Sequence, residues 1–168
     1  ERGEIWHEEG KMLNKKNTFE DYISAAKFLI EKKYTYKGGI VGHGGSAGGL
    51  LLGAVVNQVP ELFLGMVIQV GFLDSLTTNT DHSLPLSLGE LTEFGDGKGN
   101  PDHFKYLKSY SPYHNIKQMD YPNLLLVTNL KDARVLFDEP TKFTAKLRQY
   151  KTDKNLLLLK CELEDSGH

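Results

Sequence analysis

The sequence has a single cysteine, Cys161, so no disulfide can close within it. It also lacks any Asn-x-Ser/Thr glycosylation site, and both features fit a reducing compartment such as the cytoplasm. No apolar run approaches the roughly 20 residues needed to span a bilayer, and no secretory leader opens the chain. Charge of neither sign dominates: 20 Lys and Arg stand against 22 Asp and Glu, a net charge of −2. Binding to nucleic acid or to an anionic membrane surface therefore has no electrostatic basis. No internal repeat or low-complexity segment occurs, and no pair of His, Cys, Asp or Glu residues has metal-ligand spacing, so neither a metal nor a cofactor is expected.

What remains is a chain of 168 residues, long enough for one domain with a real core. Its first 17 residues are polar and read as irregular, with Trp6 the only large apolar anchor. Thr18 and Asp21 resemble a capping box, and Phe19, Tyr22, Ile23, Ala26, Leu29 and Ile30 follow at helical spacing. Lys32 and Lys33 suit the end of that helix. Ile40 and Val41 read as a short strand, and residues 49–58 as a helix apolar on most sides, hence buried. Residues 64–70 read as a strand covered on both faces. Residues 71–121 are polar and turn-rich, which predicts short helices and loops. Residues 123–128 read as another buried strand and 156–159 as a fourth apolar strand, with a helix between them that has Pro140 near its first turn. Apolar strands alternating with helices predict an α/β protein, a parallel sheet sandwiched by helices.

The centre of this pattern is the run from Val41 to Leu50. Gly44-Gly45-Ser46-Ala47-Gly48 fits G-x-S-x-G, the turn that places a serine hydroxyl at a strand-to-helix elbow. Taken alone, the pattern leaves a glycine-rich turn with an incidental serine equally open. Context favours a nucleophile. Asp132 and His168 each follow a predicted strand, in the order serine, aspartate, histidine expected of α/β-hydrolases. A serine hydroxyl needs a base within hydrogen-bonding reach, histidine suits that role, and a carboxylate fixes its tautomer. The backbone N–H of Ala47, just after the serine, is placed to stabilise an oxyanion. Asp138, Asp120 and Asp74 compete with Asp132, but Asp138 opens a helix and Asp74 follows the wrong strand. His43 lies nearer to Ser46 in sequence, at a strand end where packing is its expected role. His7, His82, His103 and His114 sit among polar residues and are expected at the surface.

These residues resemble a known family. Gly44-Gly45-Ser46-Ala47-Gly48-Gly49, Lys108-Ser109-Tyr110-Ser111-Pro112-Tyr113, Asp132-Ala133-Arg134-Val135 and Gly167-His168 resemble the catalytic domain of the prolyl oligopeptidase family, in particular its oligopeptidase B branch. The resemblance runs from Arg2-Gly3-Glu4 to His168. It implies Ser46 as nucleophile, Asp132 as orienter and His168 as general base. It also implies that Arg134 grips a substrate backbone carbonyl and that Val135 walls the pocket for the residue before the cut. In that branch this residue is Lys or Arg, recognised by acidic side chains. Glu90 falls at the position of the pocket glutamate, whereas Thr92 stands where a second acid usually follows, with Glu93 one place beyond. The partner expected is thus a peptide with a basic residue before the cleaved bond.

The resemblance further implies parts that these residues do not supply: a β-propeller, the strands before the first helix, a tyrosine completing the oxyanion hole and a helix after the histidine loop. Residues 1–168 are thus expected to be a partial α/β-hydrolase domain, the C-terminal half of the sheet, with an exposed apolar edge and little activity alone. Two other readings remain: an esterase or thioesterase with the same triad, and an inactive module with a structural or interaction role.

Overall fold

In a computed structural model of the chain, residues 2–84, 87–164 and 167–168 are described. Asp165 and Ser166, in the segment leading to His168, lie outside the described residues. Four strands form one parallel sheet: β1 (Ile40–Gly45), β2 (Phe63–Gln69), β3 (Asn123–Asn129) and β4 (Leu157–Glu162), side by side in chain order. Helix α1 (Glu4–Glu8) and α2 (Lys16–Glu31) precede the sheet, α3 (Ala47–Val56) joins β1 to β2, and α7 (Asp138–Tyr150) joins β3 to β4. Between β2 and β3 the described residues form short helices and loops, as expected, among them α4 (Ser75–Thr80), α5 (Leu91–Phe94) and α6 (Pro101–Lys108).

Strand order dictates which face is covered. Parallel strands joined by right-handed crossovers that always advance in one direction put every crossover helix on the same face. The register agrees. Gly42, Met66, Leu124 and Leu157 lie in one row, and Gly44, Ile68, Leu126 and Leu159 in another row of the same face. Met66, Ile68, Leu124 and Leu126 are buried, in one core with Leu50 and Leu52 of α3 and Phe143 and Leu147 of α7. Full burial of side chains of this size stabilises the fold by roughly 1.5–3 kcal/mol each. The opposite row, His43, Val67, Leu125 and Leu158, is poorly covered: Leu158 is 50 % exposed and neighbouring Val41 57 %. The sheet is flanked by helices as the sequence predicts, but on one face. The expectation that β2 is covered on both faces fails for this reason.

Two expectations near the N-terminus also fail. The first 17 residues contain α1 and a 3-10 turn at Met12–Asn14, and Trp6 is half exposed, with Arg2 over its ring. Thr18 is not a cap: α2 begins at Lys16, and the Thr18 hydroxyl donates to Gly10 C=O at 3.3 Å. A contact eight residues back in the chain outcompetes the local capping pattern.

Candidate active site

The carboxyl edge of the sheet collects the residues singled out from the sequence. Ser46 directly follows β1, Asp132 lies three residues beyond β3, and His168 follows β4. Ser46 has φ 53° and ψ −119°, a strained backbone for a residue with a side chain, which costs of order 1–3 kcal/mol. Four hydrogen bonds hold it there. Ser46 N–H donates to Gln69 C=O at 3.0 Å, and Ser46 C=O accepts from the N–H of Gly49, Leu50 and Phe72. Val70 is a second positive-φ residue at this edge (φ 42°), pinned by its N–H to Val127 C=O at 2.8 Å.

The glycines around Ser46 are not equally constrained. A Cβ on Gly44 would lie 2.7 Å from Gly48 O, and one on Gly49 would lie 2.5 Å from Gly71 Cα. A Cβ on Gly48 meets nothing within 4 Å. The elbow therefore requires glycine at 44 and 49, where α3 crosses β1 and the end of β2, whereas the motif glycine at 48 has room.

The structure brings Ser46, His168 and Asp132 into one hydrogen-bonded line. Ser46 Oγ donates to His168 Nε2 at 3.0 Å, and His168 Nδ1–H donates to Asp132 Oδ2 at 2.7 Å. Asp132 is 3 % exposed, and its other oxygen accepts from the N–H of Arg134 (2.8 Å) and Val135 (3.0 Å). With three donors on a buried carboxylate, the imidazole is fixed in the tautomer that leaves Nε2 free to accept from the serine. Gly167, at φ 69°, turns the chain so that His168 reaches inward. Asn129 helps: its amide donates to Gly167 C=O at 3.2 Å, and its oxygen accepts from Lys131 N–H at 2.8 Å. Asn129 thus ties the loop of Asp132 to that of His168. Only its place at a strand end hinted at this in the sequence.

Ala47 is the first residue of α3. First-turn N–H groups have no acceptor within their helix, so this N–H points from a helix N-terminus beside Ser46. Arg134 is exposed, and among the described residues no carboxylate pairs with its guanidinium. Val135 is 6 % exposed.

Glu90 is half-buried before α5; desolvation, and secondarily the charge of Glu93, raise its pKa above the usual carboxylate value. Glu93 is held elsewhere. Lys15 Nζ donates to it at 2.6 Å, and His7 Nε2 lies 2.7 Å from its other oxygen. Burial opposes its ionisation, but these partners together bring its pKa below normal. Phe94, at the end of α5, packs on Phe72, with ring centroids 5.5 Å apart, and Phe72 bonds Ser46. The helix that begins just after Glu90 therefore abuts the elbow through two rings.

His7 is exposed as expected, but His43, His103 and His114 depart from expectation. His43 is exposed, not packed, and bonds Gln69 at 2.7 Å. His103 is half-buried and accepts from Asp96 N–H. His114 is half-buried 3.4 Å from Asp74. Turns and helix ends in residues 71–121 supply the partners of His103 and His114, which composition does not reveal. Among the described residues no group of His, Cys, Asp and Glu could hold a metal ion, and no helix is long and apolar enough to cross a membrane.

Known proteins share the sequence and the fold of this chain. The chain is similar to protease 2 of Moraxella lacunata, with 48 % identity over all of this chain and 24 % of that protein. It is also similar to dipeptidyl aminopeptidase BI of Pseudoxanthomonas mexicana, with 38 % identity over all of the chain and 23 % of that protein. Among solved structures, oligopeptidase B from Trypanosoma brucei with covalently bound antipain superposes with a TM-score of 0.92 at 46 % identity, covering 95 % of this chain and 22 % of that one. Oligopeptidase B from Leishmania major gives a TM-score of 0.91 at 44 % identity, covering 94 % and 22 %. The chain spans about a quarter of the length of the curated relatives it matches. The model of the prolyl oligopeptidase family matches residues 1–168 in full, and the chain belongs to that family.

Proposed function

We propose that this chain carries the catalytic centre of a serine peptidase that hydrolyses small peptides after Lys or Arg through an acyl-enzyme. The observation that carries the reading is the line Ser46 Oγ to His168 Nε2 to Asp132, at 3.0 and 2.7 Å, behind a serine in strained backbone conformation. Ser46 Oγ attacks the scissile carbonyl while its proton passes to His168 Nε2. Asp132 stabilises the imidazolium that forms, and the Ala47 N–H stabilises the oxyanion. His168 then protonates the leaving amine, and water repeats the sequence on the acyl-enzyme. Arg134, exposed near Asp132 and without a carboxylate partner among the described residues, is available to hold a substrate carbonyl.

Family membership alone does not choose the substrate, since relatives at 38–39 % identity include a dipeptidyl aminopeptidase and a prolyl endopeptidase. The basic preference rests on Glu90 and on the greater similarity to protease 2 and oligopeptidase B. With Thr92 in place of a second acid and Glu93 held by Lys15 and His7, a single carboxylate serves the pocket. That favours single basic residues over basic pairs.

The test is turnover of fluorogenic peptide amides by the full-length protein. Cleavage after Arg and Lys is expected, with little after Ala, and none in Ser46→Ala. Turnover of esters without turnover of peptides would favour the esterase reading instead.

A further inference from the structure

Behind the Ser46–Asp132–His168 line lies a second set of charged residues. Glu139 is 1 % exposed in the first turn of α7, in the segment that continues from Asp132 and Arg134. Its Oε2 accepts from Asp74 N–H at 2.7 Å and its Oε1 from the Thr78 hydroxyl at 2.6 Å. Asp74, also 1 % exposed, caps α4 by accepting from Thr77 N–H. The two segments joined by Glu139 belong to different halves of the site. The chain from Asp132 to α7 holds the acid that orients His168. The chain from Gly71 to α4 lies under the elbow, where Phe72 N–H donates to Ser46 C=O at 3.1 Å.

No cation pairs directly with Glu139 among the described residues. Lys142 of the same helix pairs with Asp74 at 2.6 Å and Asp138 at 3.1 Å, and His114 faces Asp74 from the 3-10 turn at Tyr113–Asn115. Lys146, from α7, donates to Tyr113 C=O at the other side of that turn. The like charge acting on Glu139 is that of Asp74 and the opposite charge that of Lys142. A neutral side chain would brace α7 against α4 without burying a carboxylate, which is costly.

We propose that Glu139 is a positioning residue for hydrolysis at Ser46: its carboxylate fixes the Asp132 loop against the segment beneath the elbow, and so sets how His168 meets the serine. This rests on the reading of Ser46 as nucleophile. Ionised, Glu139 accepts both hydrogen bonds at once, and charge-assisted bonds are roughly twice as strong as neutral ones. Protonated, one of its oxygens becomes a donor and the clamp loosens. Burial pushes its pKa up to about 7, so the change of grip falls in the neutral range.

The test uses the full-length protein, with kcat and KM on an Arg peptide and the rate of fluorophosphonate labelling measured from pH 5.5 to 8. Glu139→Ala is expected to lower kcat on the order of 10- to 100-fold with KM changed less than about threefold. Glu139→Gln, which resembles the protonated acid, is expected to match wild type at low pH and fall roughly tenfold behind at pH 8. If Glu139→Ala does not fold, Thr78→Val removes one of the two bonds from a half-buried site and is expected to lower kcat by about threefold or more. A flat ratio of wild type to Glu139→Gln across pH, or lower thermal stability with unchanged kcat in the alanine or Thr78→Val variants, overturns the proposal and leaves Ser46 as nucleophile. Failure of the wild-type protein to label at Ser46 overturns both.

Discussion

The elbow makes opposite predictions for two adjacent glycines, and only the structure separates them. Gly49→Ala would place a Cβ 2.5 Å from Gly71 Cα and 3.1 Å from Ile68 Cγ2. Ordinary carbon contacts lie at about 3.5–4.0 Å, so α3 and the end of β2 must separate by roughly 1 Å. Overpacking of this kind costs about 1–3 kcal/mol. The displaced segment includes Phe72, whose N–H holds Ser46 C=O, and a misplacement of about 1 Å at a reacting group can lower the rate on the order of 100-fold. Gly48→Ala adds a methyl where nothing lies within 4 Å. Replacing a helical glycine with alanine stabilises by up to about 1 kcal/mol. The assay is the second-order rate of fluorophosphonate labelling at Ser46, paired with the midpoint of thermal unfolding. Gly49→Ala should label about 100-fold more slowly and melt lower, while Gly48→Ala labels within about threefold of wild type and melts no lower. If Gly48→Ala proved the more damaging change, or Gly49→Ala were silent, the account of the elbow's crowding would be wrong.

Three further outcomes are expected. Glu90→Gln should raise KM for Arg substrates by about 10- to 100-fold, the worth of one charge-assisted hydrogen bond. Because the pKa of Glu90 is raised, wild-type affinity for Arg should improve as pH rises through that pKa, whereas the variant should not respond; an unchanged KM in Glu90→Gln refutes the pocket assignment. Burial pushes the pKa of Glu139 up to about 7 in the folded protein, from an ordinary 4.5 when unfolded. The folded state therefore binds more protons between these values, and the contribution of Glu139 is fully present below 4.5 and lost as pH rises through 7, by roughly 3 kcal/mol. Urea denaturation should show the stability of wild type relative to Glu139→Gln declining between pH 5 and 8, and a constant difference contradicts it. Asp132→Asn should lower kcat by about 10³- to 10⁴-fold with little change in KM, since the amide cannot hold His168 in the required tautomer; a loss under tenfold would remove Asp132 from the mechanism.

Much of the site was legible because its parts are local in sequence. A serine between glycines after an apolar strand marks the elbow, and Asp132 and His168 follow strands whose apolar runs are unmistakable. Parallel topology then carries all three to one edge. What the sequence hid depends on distant contacts. Glu93 looked like a spare pocket acid, but Lys15 and His7, 78 and 86 residues away, hold it. Asp74 follows a strand other than the one before Asp132, and nothing in the sequence marks Glu139. Their burial arises only when α7 packs against α4. The need for glycine at 49 and not at 48 is likewise hidden, because crowding depends on how α3 crosses Gly71 and not on the motif. The open face of the sheet follows from strand order, which apolar runs do not specify.

The central claim is that Ser46 is a nucleophile activated by His168. Mass-spectrometric mapping of a fluorophosphonate adduct on the full-length protein tests it most directly. The account predicts a single adduct on Ser46, absent in Ser46→Ala and formed at least about 100-fold more slowly in His168→Ala. An adduct on another residue, or labelling that persists unchanged in either variant, would contradict it.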